Sequence, residues 1–171
     1  MSLNTTPATY TSGQTLTAAI MNAEVRDAIS GLQAAWSDTA TTWTAASSNP
    51  TLGDGVLNNR VNRTGKSIAV NLTLVFGSTT TKGSGAYTFT LPVASVFSTT
   101  TYVNLGSASM RDTSASANRI GAAILTSPTT FQIVAADGTT VGSAAPWTWA
   151  SGHILSINLA YEAARPMSET D

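Results

Sequence analysis

The sequence predicts a mainly β protein, an antiparallel eight-stranded jelly-roll-like sandwich preceded by one N-terminal amphipathic helix. Three observations predict it. Apolar residues recur every three or four positions only as far as Trp36; beyond it they alternate with polar ones; and Gly, Pro, Asn and Asp turn signals separate the alternating runs. At 171 residues without a cysteine the chain is long enough to bury a core without disulfides. The expected organisation is an N-terminal arm over 1–14, a helix over 15–36, a sandwich over 37–165 and a tail over 166–171.

The helix rests on Leu16, Ile20, Val25, Ile29, Leu32 and Trp36, which make one apolar stripe over intervening Ala, Glu, Arg, Asp and Gln. Thr15 or Thr17 is placed to cap its start. Written as heptads, Ala18, Val25 and Leu32 take position d, with Asn22, Ile29 and Trp36 at a. A helix of two or three heptads is marginal alone, so the stripe needs a partner, and these six residues are the candidate attachment and oligomerisation surface.

Strands are expected over 41–46, 56–62, 66–76, 86–91, 101–109, 119–125, 130–135 and 153–161. The clearest sends Ile68, Val70, Leu72, Leu74 and Phe76 to one face and Ala69, Asn71, Thr73 and Val75 to the other. Turns fall at Asn49-Pro50, Gly53-Asp54-Gly55, Thr64-Gly65, Gly83-Ser84-Gly85, Ser127-Pro128 and Asp137-Gly138. The Ser/Thr-rich stretches 93–100 and 110–118 read as surface links. Gly121, Ala122 and Ala123 offer almost no side chain, which fits a closely approaching backbone, from an adjacent strand or a second subunit, or else a poorly filled edge strand. Val75, Val134 and Ile154 are apolar positions outside the main core faces.

Composition excludes several functions. Only 10% of residues are charged, against about 25% in ordinary soluble domains, and the net charge is -1, so no basic field exists to bind nucleic acid. No apolar run reaches the 18 or so residues that span a bilayer, and Met1 to Tyr10 lacks a basic n-region, so synthesis in the cytoplasm without membrane association is expected. Thiolate chemistry is absent with cysteine. His153 is the only histidine and lies in no Gly-x-Ser-x-Gly elbow, which favours a strand-edge packing role over catalysis or zinc binding.

Two glycine motifs fail as nucleotide sites. Gly65-Lys66-Ser67 has Arg60 where a phosphate loop needs glycine, and Gly83-Ser84-Gly85 has Thr88 where the dinucleotide pattern needs one. Asp54, Asp112 and Asp137 sit in expected loops but in no alternating calcium-ligand run, and no spacing brings two carboxylates together as a glycosidase requires. Three Asn-x-Thr sequons, at Asn4, Asn62 and Asn71, are what chance supplies in a Thr-rich chain. No cofactor is expected. Trp147 and Trp149 flank Pro146; they either plug the end of the sandwich or present rings to a sugar, and packing is the favoured role.

Two segments resemble small tail and surface proteins of bacteriophages, especially those of actinobacteria. One is Tyr10-Thr11-Ser12-Gly13-Gln14-Thr15-Leu16-Thr17-Ala18-Ala19 with Met21-Asn22 and Val25-Arg26-Asp27, similar to the opening of many minor tail and fibre-like proteins. The other comprises Trp43, Asn49 to Gly55, Gly65-Lys66, Phe76 to Thr80, Leu91-Pro92-Val93, and Pro146 to Gly152 followed by Tyr161-Glu162. At His153 the sequence departs from the small polar residue the resemblance implies. The resemblance implies a non-enzymatic virion structural protein with a C1q/TNF-like sandwich, a homotrimer made in the host cytoplasm and displayed on the particle exterior. Its partners would be copies of itself and tail or major capsid proteins, with host-surface glycan as a further contact. A tail position is expected first, a capsid decoration role second and a cell-wall glycan-binding module third.

Overall fold

A computed structural model describes residues 11–22, 29, 35–97 and 102–164. Helix α1 spans Ala18–Met21, capped by Thr17, whose Oγ1 accepts the Ile20 N–H at 3.3 Å. Half of the expected helix, including Val25 and Leu32, lies outside the described residues.

Nine strands follow: β1 (Ser37–Asp38), β2 (Trp43–Ala45), β3 (Val56–Thr64), β4 (Ser67–Val75), β5 (Tyr87–Thr90), β6 (Asn104–Asp112), β7 (Ala117–Ser127), β8 (Thr130–Ala135) and β9 (Ile154–Glu162). The mainly antiparallel β class is as expected. Among the described residues the strands are nine rather than eight, and they form one hydrogen-bonded sheet in the order β1-β3-β4-β9-β6-β7-β8-β5-β2.

This sheet curls until its margins meet. β1 pairs with β3, and the Thr39 N–H still bonds the Asn59 carbonyl at 2.9 Å; two residues on, Thr41 Oγ1 donates to the Thr90 carbonyl at 2.8 Å, and β2 then pairs with β5. One short stretch of chain therefore straps the first margin to the last, which limits exposed sheet edge. Trp43, carried across by the strap, packs edge-on against Phe76 just beyond β4, with ring centroids 5.5 Å apart.

The inward side chains make one continuous core. Ile68, Leu72 and Leu74 of β4, Leu155 and Ile157 of β9, Tyr87 and Phe89 of β5, and Phe131 and Ile133 of β8 are all essentially inaccessible. Their alternation with exposed neighbours is the period of two seen in the sequence.

Two sequence expectations are corrected. The stretch 110–118 is no surface link: β6 continues to Asp112 and β7 begins at Ala117, leaving a turn over 113–116. Its one threonine and two serines fall in that turn, and the polar Arg111, Asp112 and Asn118 beside it masked the strand ends. Nor is β7 an edge, since it lies between β6 and β8. A Cβ on Gly121 would stand 2.6 Å from the Val134 carbonyl, so the backbone that comes close is the adjacent strand β8.

The register also aligns the outward residues of β3, β4, β9 and β6 in rows. Val56, Val75 and Ile154 form one row; Thr73, Ser156 and Ser109 form the next; Asn71, Asn158 and Ser107 form a third.

Candidate functional site

Two regions hold the residues the sequence singled out. The first is the N-terminal segment. Leu16 is 57% exposed, Ile29 51% and Trp36 39%, while Ile20 is half-buried. Apolar side chains this open in a segment that has a complete barrel beside it have no covering surface among the described residues. The segment meets the barrel at β3, where Arg60 Nη2 donates to the Trp36 carbonyl at 3.1 Å and the Arg60 guanidinium lies 3.5 Å from Asp38.

The second region is the barrel end formed by the 113–116 turn and the loop 145–153. Trp149 is fully buried, stacked on Phe76 with centroids 4.7 Å apart, and its Nε1 donates to the Gly142 carbonyl at 2.8 Å. It plugs the end of the core and has no free ring face for a sugar. Trp147 is half-buried, edge-on to Trp149 at 5.7 Å.

Beneath these rings lies a cluster that the sequence did not bring together. His153, 2% exposed, has Nε2 3.0 Å from Asp112 Oδ1 and 3.4 Å from Ser114 Oγ. Its Nδ1 accepts the Ala150 N–H at 3.3 Å, which fixes the proton of the neutral ring on Nε2. Ser114 Oγ in turn donates to Asp112 Oδ1 at 2.6 Å. That hydroxyl and the Ala115 N–H hold the Asp112 carboxyl below its usual range, burial works against them, and the imidazole adds a smaller lowering.

Serine, histidine and aspartate in contact invite a nucleophilic reading, and the wiring answers it. A catalytic relay needs serine on one ring nitrogen and carboxylate on the other. Here both crowd Nε2, Nδ1 is occupied by a backbone donor, and the hydroxyl proton already points at Asp112. The cluster can tie the hairpin turn to the tryptophan loop; it cannot pass a proton from Ser114 through the ring to a carboxylate. Nothing in the sequence signalled this pairing, because Asp112 was read as part of a loop.

The remaining acidic candidates are engaged locally. Asp54 Oδ1 accepts from Thr79 N at 2.7 Å and Thr79 Oγ1 at 2.8 Å, while Oδ2 accepts from Ser78 Oγ at 2.7 Å. Gly77 lies so close that a Cβ there would collide with the same carboxylate. Asp137 accepts from Thr139 N at 3.0 Å and lies 3.6 Å from Arg119. Among the described residues no three His, Cys, Asp or Glu side chains gather as a metal site would require. No described helix is long and apolar enough to cross a membrane.

The class these features define is an antiparallel β protein with a strapped, curled sheet and an open apolar N-terminal segment. Comparison with protein-family models, curated proteins and solved structures finds no match to the chain.

Proposed function

We propose that this chain is a non-enzymatic structural protein of a bacteriophage particle, displayed on the exterior as a homotrimer, tail-associated and in contact with the host surface. The observation that carries the reading is the exposure of the apolar Leu16, Ile29 and Trp36 while the core of the sheet is already filled. A chain with a finished core gains nothing internally from such a segment, whereas an assembled one covers it with a neighbour. The low charge suits a component held in a larger particle, where its own net charge need not keep it dispersed. The jelly-roll-like, C1q/TNF-like kinship belongs to the same proposal, supported by a curled antiparallel sheet and by the resemblance of the two sequence segments.

The test is the double variant Val25→Asp with Ile29→Asp, measured by light scattering and by incorporation into particles. Loss of the trimer or of incorporation, with the barrel still folded, is the expected result. Unchanged mass together with normal incorporation contradicts it. Capsid decoration is the outcome if the chain is found on heads.

A further inference from the structure

We propose that the outward face of β3, β4, β9 and β6 is the surface on which a second copy of this chain docks. The inference rests on the self-association put forward above and gives it a location on the barrel.

Size is the first argument. Four strands about 4.8 Å apart, each about nine residues long at about 3.4 Å per residue, present on the order of 600 Å² per copy, or about 1,200 Å² for a pair. A specific interface needs roughly 1,000 Å².

Charge selects the occupant. At the centre of the face, on β4 and β9, Asn71, Thr73, Ser156 and Asn158 carry no ionisable group; the register continues the Asn71 row to Arg60 on β3 and the apolar row, which Val56 opens at 46% exposure, to Arg111 on β6. Arg60, Arg111 and the Lys66–Glu162 pair, 3.7 Å apart, stand at the margins of this face. Amides and hydroxyls both donate and accept, so another surface of a second copy, a chain with only 10% charged residues, can satisfy them without burying an unpaired charge. An ionic partner would find nothing to pair with at the centre of the face.

Continuity is the third argument. The N-terminal segment with its open apolar residues meets the barrel at the margin of this same face, through the bond from Arg60 to the Trp36 carbonyl. A neighbour that covers Trp36 is thereby brought alongside β3.

The experiment compares the wild-type chain with Thr73→Arg/Ser156→Arg, a cross-strand pair of outward positions, and with Asn158→Glu at an exposed neighbour. Thr126→Arg, exposed on β7, is the control. Mass is read by light scattering and folding by near-ultraviolet circular dichroism. The wild type and the control should be oligomers, and both face variants should be folded single chains. Face variants that fold and keep the wild-type mass overturn the inference; if the double variant fails to fold, Asn158→Glu decides by the same readings. Retained mass in the face variants together with its loss in Val25→Asp/Ile29→Asp confines the contact to the N-terminal segment, which leaves the proposed function standing. A wild-type chain that is itself a single chain overturns both.

Discussion

Asp54 receives three hydrogen bonds from Ser78 and Thr79 and so staples the turn after Leu52 to the turn after Phe76. Those bonds hold its carboxyl well below the ordinary value of 3.8, the Ser78 hydroxyl contributing most. A depressed folded pKa gives stability that is present above the unfolded value and lost as pH falls toward the folded one. Asp54→Asn should therefore melt below wild type at neutral pH, with the gap closing as the solution is acidified below 3.8; thermal scans across that range check it. Tyr161 shows the opposite sign. Burial, outweighing its bond to the Val93 carbonyl, pushes the phenol up to about 12, so its contribution holds below 10.0 and fades above it. At the barrel end, Trp149→Ala should cost about 3–5 kcal/mol in denaturant unfolding, as truncation of a buried aromatic does; glycan binding lost on that substitution without loss of stability would contradict the packing role. Trp149 as a plug was legible, because an aromatic three residues after Pro146 and ahead of a strand belongs at a barrel end. The Asp112–His153 contact was not, since it joins residues distant in sequence and no local pattern encodes such a meeting.

Strands declared themselves where one face is apolar and the other polar. β4 and β9 were legible almost to the residue, because Ile68 to Leu74 and Leu155 to Tyr161 alternate without interruption. β6 and β7 were shortened at their shared turn because Arg111, Asp112 and Asn118, next to a Ser/Thr turn, look like loop. β1 escaped notice altogether: two exposed residues, Ser37 and Asp38, carry no pattern, and only pairing with Val61 and Arg60 makes them a strand. β3 contains a conflict of its own. Its inward face runs Leu57, Asn59, Val61, and Asn59 is 5% exposed with neither amide atom bonded to another described residue. A buried amide without partners costs about 1–3 kcal/mol. Asn59→Leu should accordingly raise stability by about 1–2 kcal/mol, measured as a higher denaturant midpoint at constant slope. A lower midpoint would mean that the amide is bonded in solution.

For the whole molecule, the strap from β1 to β2 makes the barrel self-sufficient and leaves the N-terminal segment as its outlying apolar part. On the proposal made above, a filled core resists deformation, while the exposed apolar residues of that segment and the outward face of β3, β4, β9 and β6 serve as surfaces for neighbours. Sequence periodicity conveyed the division at Trp36, but the closure of the sheet depends on Trp43 meeting Phe76 across it, which no linear pattern records. The most direct measurement is immunogold electron microscopy of intact phage particles from cells expressing the gene, using antibody raised against the barrel. The account predicts gold on the particle exterior, concentrated on tails. Unlabelled particles, with the chain recovered only as a freely diffusing monomer in the lysate, would contradict it.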